Sequence, residues 1–379
     1  MKRKAAALRI AQVAPLIESV PPKAYGGTER VVSYLTEALV EMGHDVTLYA
    51  SGDSVTSARL VAVTDASLRL NPQRPDWVTW HTIMNDRVFS DADRFDVIHF
   101  HVDTLHLPLA RRVAVPCVTT MHGRLDLPDL QPLFRHFREQ PLVSISDSQR
   151  QPLPWANWQA TVHHGLPASL YSFHPQPGDH FAFVGRISPE KRVDRAIEIA
   201  IACNTPLRIG AKVDAADRLY FEKHIEPLLD HPLVDFVGEI DEAEKNDFIG
   251  NARALLFPID WPEPFGLVMI EAFACGTPVI SYPNGSVCEI MEHGVTGFVA
   301  HNQEQAIAAA QRIGEIDRRH CREAFEARFT AQAMASRYLA VYRGLIDMPP
   351  RKPEASGGAH DGEDPDRRQV VRRRDLSPY

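Results

Sequence analysis

The chain has 379 residues, more than one hydrophobic core comfortably holds and about the length of two α/β domains. Its 44% hydrophobic and 24% charged residues are ordinary for a globular protein, and the formal charge of −8 excludes a general electrostatic attraction to nucleic acid. The five cysteines are scattered and form no C-x-x-C pair, which is typical of a reduced compartment, so we expect neither disulfides nor a zinc site.

The sequence MKRKAAALRIAQVA at the N-terminus has the basic-then-apolar order of a signal peptide. Arg9 and Gln12 interrupt the apolar run and no processing site follows, so a first buried strand is the better interpretation. No stretch reaches the roughly 18 apolar residues that a membrane span requires. We therefore expect a cytoplasmic protein that is soluble or peripheral at the inner face of the membrane.

In the first part of the chain, short apolar runs alternate with amphipathic ones, a pattern of strands joined by helices. A helix is predicted at 28–43. Strands are predicted at 7–14, 44–50, 95–101, 115–122 and 141–146. Parallel pairing with right-handed crossovers is the economical topology for this order, which predicts a doubly wound first domain.

The segment 165–179 is rich in proline and glycine and lacks periodicity, as expected of an interdomain linker. The alternation of strands and helices then restarts. Strands are predicted at 180–185, 206–211, 233–238, 254–258 and 278–282, and helices at 189–202, 215–229, 242–250 and 266–276. This pattern predicts a second doubly wound domain.

A last helical pattern spans 331–346, after which hydrophobic residues almost vanish and charges occur in blocks. We predict four parts: a first domain at 1–168, a second at 169–333, a C-terminal helix at 334–347 able to pack back on the first domain, and a disordered charged tail at 348–379. The cluster Arg372, Arg373 and Arg374 is able to contact an anionic membrane, although a solvated tail is the favoured interpretation.

Two facing doubly wound domains bring the carboxyl ends of their strands to one cleft. The strand at 180–185 ends beside Arg186, and Ser188-Pro189 is a candidate start of the next helix with Lys191 in its first turn. Cations are disfavoured at a helix N-terminus, so this pattern indicates an anion such as a diphosphate between them. The alternative is that Glu190 pairs with one of the two cations.

A second candidate position follows the strand at 254–258. Glu263 is predicted to lie in a loop facing the cleft, Gly266 allows backbone N–H groups to approach a ligand, and Glu271 lies in the next helix. The alternative is that Glu271 caps a helix or forms a salt bridge while Glu263 is exposed to solvent.

A third candidate is the pair Gly26 and Gly27, between the first strand and the first helix, with Thr28 as a possible N-cap. Glycines at this place allow backbone amides to approach a phosphate. An ordinary tight turn uses the same residues at least as often.

Taken in this order, these pieces resemble the retaining glycosyltransferases of family 4, which have the GT-B fold. The resemblance covers almost everything from Ile10 to about Leu345. Its most specific parts are GRISPEK, from Gly185 to Lys191, and EPFGLVMIEAFACGTPVI, from Glu263 to Ile280. It implies an α/β protein with two Rossmann-like doubly wound domains facing across a cleft.

The resemblance also implies roles for matching residues. Arg186 and Lys191 would hold the diphosphate of a nucleoside diphosphate sugar, and Glu271 would bind the ribose hydroxyls. Glu263 would face the transferred sugar. His122, at the end of a predicted strand, would contact the donor sugar beside the anomeric centre.

Backbone contacts are implied at five further positions. Phe265, Gly266 and Leu267 would contact sugar hydroxyls and phosphate, and Gly26 and Gly27 would close on the diphosphate from the first domain. The sequence departs from the family pattern after Lys191, where the usual glycine is replaced by Arg192, and in the strand at 206–211, which lacks the common G-x-G.

The implied reaction is transfer of a hexosyl-type sugar to an acceptor, which is a glycan, a lipid-linked molecule or a small molecule, with retention at the anomeric carbon and without a metal or another cofactor. Three alternatives stay open. They are a nicotinamide-dependent dehydrogenase, which the missing G-x-G-x-x-G after the first strand disfavours, a non-catalytic nucleotide-sugar-binding module, and a GT-B epimerase.

Other patterns favour structural roles. His99, His101 and Asp103 alternate along a strand and are weak candidates for a metal site, because polar strand ends commonly bind substrate or backbone. Asp91 and Asp93 imitate a D-x-D motif but belong to a polar turn. Four aromatic residues near the C-terminus have helical spacing typical of core packing: Phe325, Phe329, Tyr338 and Tyr342.

Overall fold

The computed structural model describes residues 6–23, 26–70, 73 and 76–349. Within them, no helix combines the length and the apolarity needed to cross a bilayer. The predicted charged tail lies outside the described residues except for Met348 and Pro349, and so does the arginine cluster at 372–374.

The first domain contains a sheet of seven parallel strands in the order β3-β2-β1-β4-β5-β6-β7. Its strands are β1 (Arg9–Val13), β2 (Asp45–Ser51), β3 (Arg59–Thr64), β4 (Val97–Phe100), β5 (Cys117–Thr120), β6 (Leu142–Ser144) and β7 (Trp158–Thr161). Its helices are α1 (Gly27–Glu41), α2 (Trp77–Ser90), α3 (Leu107–Ala110) and α4 (Leu130–His136).

The second domain contains a sheet of six parallel strands in the order β10-β9-β8-β11-β12-β13. Its strands are β8 (Phe181–Arg186), β9 (Leu207–Lys212), β10 (Val234–Gly238), β11 (Ala254–Phe257), β12 (Val279–Ser281) and β13 (Gly297–Val299). The remaining helices are α5 (Val193–Ala202), α6 (Arg218–Tyr220), α7 (Glu242–Gly250), α8 (Leu267–Cys275), α9 (Val287–Ile290), α10 (Gln303–Gln311), α11 (Arg318–Arg328) and α12 (Ala331–Ile346).

Both sheets are doubly wound, as predicted. The strand order reverses between β1 and β4 in the first sheet and between β8 and β11 in the second. Ligands of open α/β sheets bind outside the carboxyl ends of the strands at such reversals, because the neighbouring connections leave there in opposite directions and open a crevice. A ligand-binding site is therefore expected at these two reversals.

Two predicted helix starts are wrong. Residues 188–191 form a turn and α5 begins only at Val193, because Arg192 adopts a left-handed conformation with φ of 52°. That conformation suits the glycine that the family has here, and the Arg192 side chain is instead held by Asp194 at 2.7 Å and Asp260 at 2.8 Å. The first helix begins at Gly27 with Gly26 as its N-cap, so Thr28 does not cap it.

The predicted helix at 215–229 is broken. A 3₁₀ turn at Ala215–Asp217 leads into α6, which is followed by a π-helical segment at Phe221–Ile225 and a second 3₁₀ turn at Glu226–Leu228. Pro227 lies in this last turn and has no N–H group for a helical hydrogen bond, which accounts for the loss of regular helix at this end.

The core is built as the aromatic spacing predicted. Phe325, Phe329, Tyr338 and Tyr342 are all fully buried. They belong to a hydrophobic cluster that runs from the face of the first sheet covered by α1 into the second domain. All five cysteines are free thiols, and burial raises the pKa of Cys275 to about 12.

The chain passes from the first domain to the second beside the place where it returns. The Leu166 N–H donates to the Phe329 carbonyl at 2.9 Å, and the Ala331 N–H donates to the Leu166 carbonyl at 2.7 Å. After this double crossing α12 packs against α1. The last helix of the chain is thus part of the first domain's packing.

A Gly165→Ala substitution should strongly destabilise the protein, because its Cβ would lie 2.3 Å from the Thr330 carbonyl oxygen, which is backbone and cannot yield easily. Gly344→Ala is the matched control: it lies in α12 with nothing within 4 Å of the added methyl group. We expect this control to raise the free energy of unfolding by about 0.5–1 kcal/mol, because alanine loses less backbone entropy in a helix. Urea unfolding measures the free energy of unfolding of both variants. Equal changes in the two variants would contradict the steric role of Gly165.

Candidate active site

A cleft of about 420 Å³ lies between the domains and is lined from both sides. It opens at the carboxyl ends of β8 and β11, the reversal point of the second sheet, and faces the carboxyl end of β5. All ten residues predicted for the site line it: Gly26, Gly27, His122, Arg186, Lys191, Glu263, Phe265, Gly266, Leu267 and Glu271.

The N-terminus of α1 forms the edge of the cleft on the first domain. Gly26 is the N-cap and has no side chain to cap the helix. A Cβ atom on Gly27 would lie 3.8 Å from Leu267 Cδ1, so the backbone here approaches the start of α8 across the cleft. The positive end of a 15-residue helix and closely placed backbone amides suit an anion.

Arg186 is paired with carboxylates, as the alternative interpretation had it. Its Nη2 lies 2.6 Å from Glu190 Oε1, and Asp214 and Asp217 approach the guanidinium at 3.9 and 3.5 Å. Burial acts to raise the pKa of Glu190, but hydrogen bonds to its carboxylate and the charge of Arg186 outweigh it and hold that pKa below its usual value. A bound anion would therefore compete with Glu190 for Arg186.

Lys191 and Glu263 form a direct pair in the centre of the cleft. Lys191 Nζ lies 2.6 Å from Glu263 Oε2, which also accepts a hydrogen bond from Trp261 Nε1 at 2.9 Å. Only 12% of the Glu263 side chain is exposed, so the alternative in which Glu263 faces solvent is wrong. The rings of Phe257 and Trp261 flank the ammonium at 5.5 and 5.8 Å.

Glu271 lies one turn into α8 with its side chain 4% exposed, and its Oε1 is 3.1 Å from Lys245 Nζ on α7. Lys245 also contacts Glu242 at 3.5 Å, and Arg30 of α1 pairs with Glu242 across the domain boundary. Burial acts to raise the pKa of Glu242, but the charges of Lys245 and Arg30 outweigh it and lower that pKa. The salt-bridge alternative for Glu271 is thus correct in the structure.

The loop between β11 and α8 is fixed by both domains. Gly266 has φ of 78°, and a Cβ there would lie 2.8 Å from Met269 Cε, so this turn requires glycine. The Ser146 hydroxyl at the end of β6 donates to the Pro264 carbonyl at 2.6 Å, and Ser286 donates to the Phe265 carbonyl at 2.8 Å. The loop that carries Glu263 is therefore held by hydrogen bonds from both domains.

His122 follows β5 and belongs to a group of histidines under the cleft. Its Nε2 lies 2.9 Å from His101 Nδ1, and its ring stacks on His164 with centroids 5.4 Å apart. Burial lowers the pKa of His122 to about 3. His122 is consequently neutral at physiological pH and presents an uncharged hydrogen-bonding group to the cleft.

The alternating pair His99 and His101 is engaged by protein groups. The nitrogens of His99 lie 2.7 Å from the Tyr342 hydroxyl and 2.7 Å from Thr120 Oγ1, and His101 contacts Gln12 and His122. Asp103 is exposed. Within the described part of the chain no group of three metal-ligating side chains is present.

Sequence reasoning missed Arg30, Lys245 and Ser146 because nothing in their local pattern distinguishes them from ordinary surface residues. His164 also lines the cleft and is 4% exposed. Gln12 was noticed only because it interrupts the first apolar run, and His101 only as a weak candidate for a metal site. The missed residues become part of the site only where the two domains meet.

The buried histidines should make stability fall with acid. Burial lowers the pKa of His106 to about 3 from 6.5. Above pH 6.5 such a histidine is neutral in both states and leaves the free energy of unfolding unchanged. As the pH falls from 6.5 toward 3, only the unfolded state binds the proton, so the free energy of unfolding decreases, by about 1.4 kcal/mol for each such histidine at pH 5.5. We expect His106→Gln to flatten the loss of unfolding free energy between pH 7.5 and 5.5 in urea titrations. His320→Gln, at an exposed position, should keep the wild-type dependence, and identical slopes for both variants would refute the assignment.

Comparison with known proteins agrees with this architecture. Residues 25–183 match the family model Glycosyltransferase Family 4, and residues 172–325 match Glycosyl transferases group 1. The chain is 28% identical over 398 aligned positions to the glycogen synthase of Mycobacterium tuberculosis H37Rv, covering 88% of this chain and 95% of that protein.

Two solved structures are similar in fold. A glycosyltransferase involved in avilamycin A biosynthesis has a TM-score of 0.67 at 24% identity, over 89% of this chain and 98% of its own. The Anabaena protein HepE in complex with UDP and glucose has a TM-score of 0.67 at 15% identity, over 89% of this chain and 100% of its own.

Two parallel Rossmann-like sheets, with a cleft between the domains where their strand ends meet, define a GT-B glycosyltransferase. Within that class the chain belongs to glycosyltransferase family 4: the Family 4 model and the Glycosyl transferases group 1 model together account for residues 25–325. It is a transferase that moves glycosyl groups.

Proposed function

We propose that the protein is a retaining glycosyltransferase that transfers a hexosyl-type sugar from a nucleoside diphosphate sugar to an acceptor held mainly by the first domain. The observation that carries the proposal is the Lys191–Glu263 pair, a cation and a carboxylate 2.6 Å apart in a cleft made by both domains. The complexes of HepE with UDP, glucose and UDP-glucose support the donor class.

The donor's diphosphate would bind between the N-terminus of α1 and the cations Arg186 and Lys191. Both cations are paired with carboxylates, Arg186 with Glu190 and Lys191 with Glu263, and Glu263 would keep its hydrogen bond from Trp261 when Lys191 turns to a phosphate. As the glycosidic bond breaks, negative charge grows on the leaving diphosphate, and preorganised cations and backbone amides stabilise that charge more than the ground state. Glu271 would bind the ribose hydroxyls as an acceptor.

Glu263 would then be released toward the transferred sugar when Lys191 meets the phosphate. A same-face reaction follows, in which the acceptor oxygen attacks the side that the diphosphate leaves and the leaving phosphate takes the acceptor's proton. No separate base is required in this scheme. The sugar keeps its anomeric configuration.

Transfer would need no metal or other cofactor, since the two side-chain cations supply the positive charge at the diphosphate. EDTA should leave the initial rate unchanged. Loss of activity in EDTA that Mg²⁺ or Mn²⁺ restores would contradict this part of the proposal.

The decisive experiment has two steps. Thermal shift with UDP-glucose, ADP-glucose and GDP-mannose identifies the donor, and hydrolysis or transfer is then followed with it. NMR of the product at early times should show the anomer of the donor. An inverted product contradicts retention, and an unchanged, epimerised or merely bound nucleotide sugar contradicts transfer.

A further inference from the structure

A chain of buried hydrogen bonds connects the C-terminal helix to His122. Gln12 on β1 is fully buried, and its Nε2 donates to the Tyr342 hydroxyl of α12 at 3.0 Å. Its Oε1 lies 2.7 Å from His101 Nε2, and His101 Nδ1 lies 2.9 Å from His122 Nε2. Three elements of the first domain's fold thus meet below the cleft.

The direction of these bonds follows from the chemistry of each group. A carboxamide oxygen only accepts, so His101 Nε2 carries hydrogen and donates to Gln12. Burial lowers the pKa of His101 well below its usual value, so the ring is neutral and its Nδ1 has no hydrogen. His122 Nε2 must then donate to His101, which leaves a lone pair on His122 Nδ1.

A second branch couples the orientation of Gln12 to His99 and Thr120. The Tyr342 hydroxyl accepts from Gln12 and so donates to His99 Nδ1 at 2.7 Å. His99 Nε2 donates to Thr120 Oγ1 at 2.7 Å, and Thr120 contacts the Tyr338 hydroxyl at 3.0 Å. If the Gln12 carboxamide turned over, Oε1 and Nε2 would exchange places. Donor and acceptor would then exchange in every hydrogen bond of this branch and in the two bonds that His101 makes with Gln12 and His122. The network therefore has two coupled arrangements, and the observed one sets the side-chain orientation of Gln12.

We infer that Gln12 and His101 are positioning residues that hold His122 in the Nε2–H tautomer, so that His122 meets the donor sugar as a hydrogen-bond acceptor through Nδ1. Nδ1 of His122 has no hydrogen-bond partner among the residues that the structure describes, and the ring lines the cleft. Stacking on His164, with the ring planes 16° apart, fixes the plane in which the lone pair points. The role toward a sugar rests on the proposed function, whereas the tautomer does not.

The tautomer is measured first on the full chain without any substrate. Long-range ¹H–¹⁵N correlation spectra of histidine-labelled protein distinguish protonated from unprotonated ring nitrogens, and His122→Gln assigns the signal. We expect Nε2 of His122 to carry hydrogen and Nδ1 to be bare at pH 7.5. Hydrogen on Nδ1 in the wild-type protein would overturn the inference.

Two substitutions of the same kind on α12 test how the tautomer is held. Tyr342→Phe removes the hydroxyl that couples Gln12 to His99 and Thr120, so the carboxamide can turn over without reversing that branch and both His122 tautomers should appear. Tyr338→Phe, one turn earlier, removes a hydroxyl that contacts only Thr120 in this network and should leave the wild-type spectrum. Gln12→Met removes the acceptor of His101 directly and repeats the test if Tyr342→Phe folds poorly. A single wild-type tautomer in both Tyr342→Phe and Gln12→Met would overturn the positioning role.

The functional consequence uses whichever of UDP-glucose, ADP-glucose and GDP-mannose is turned over. Tyr342→Phe should lower kcat/KM in proportion to the fraction of His122 left in the Nε2–H tautomer, about twofold for equal populations, while Tyr338→Phe keeps the wild-type value. Deoxy and deoxyfluoro donors, modified at each sugar position in turn, then test whether His122 accepts or donates the hydrogen bond. Fluorine cannot donate a hydrogen bond, so at the contacted position both analogues should bind more weakly by the same factor. Retention of affinity by the fluoro donor alone would overturn the acceptor role. Absence of any turnover would count against the proposed function and leave the spectroscopic result intact.

Discussion

A Lys191→Met variant should transfer sugar about 100- to 1000-fold more slowly than the wild type, the loss typical of removing one preorganised charge-stabilising group. Lys191 Nζ lies in the centre of the cleft, 2.6 Å from Glu263, with aromatic rings on its flanks. Methionine preserves the bulk of the stem and removes only the charge. Initial rates with the identified donor and thermal unfolding of the same preparation measure the effect.

Two further variants separate the charge at the diphosphate from the pairing of Glu263. Lys223→Met is the matched control, since Lys223 is an exposed lysine of the π-helical segment outside the cleft, and it should retain full activity. Lys191→Met combined with Glu263→Gln should recover the about 1–3 kcal/mol of stability lost when the carboxylate is left unpaired. The rate should stay low. Recovery of the rate in the double variant would show that Lys191 serves only to neutralise Glu263.

A Glu271→Gln variant should raise the KM for donor about 10- to 100-fold with little change in kcat, because a hydrogen bond to a charged acceptor contributes about 1.5–3 kcal/mol. The Glu271 side chain is 4% exposed and oriented by Lys245 at 3.1 Å. In the proposed function this carboxylate accepts hydrogen bonds from the ribose hydroxyls. Binding of the nucleoside diphosphate, measured by calorimetry, should weaken by the same factor as the KM rises.

The ribose contact itself is tested with a 2′-deoxy nucleoside diphosphate. The wild type should bind it more weakly than the ribose form, and Glu271→Gln should distinguish the two forms less. Glu222→Gln, at an exposed position outside the cleft, should behave as the wild type. Full discrimination by Glu271→Gln would place the ribose elsewhere.

The long-range pairings explain why the site was only partly predictable. Glu263 and Glu271 were found because glycines, a strand end and a helix start surround them in the sequence. Their ion pairs were not predicted, because Lys191 is 72 residues from Glu263 and Lys245 is 26 residues from Glu271 along the chain. Ion pairs of this kind depend on which sheet edges face each other, and no local pattern encodes that.

Arg192 shows a related limit of local patterns. Ser188-Pro189 has the composition of a helix start, and the sequence predicts one there. The structure places a turn at that point and begins α5 four residues later, with Arg192 in the left-handed region at φ of 52°. Asp260, three residues after β11, holds the Arg192 side chain at 2.8 Å. This tertiary contact offsets the cost of a left-handed conformation, which arginine does not favour.

The sequence by itself determined the two doubly wound domains, because alternating apolar runs and glycines at strand ends are local signals of backbone geometry. Together with the family resemblance it also gave ten of the residues that line the cleft. Only the tertiary structure decided how those residues are paired and which way their hydrogen bonds point. Gln12 is the clearest case: in the sequence it merely interrupts an apolar run, whereas in the fold it links α12 to His122 through His101. A buried polar group must find a partner wherever the chain brings one, and that choice belongs to the whole molecule.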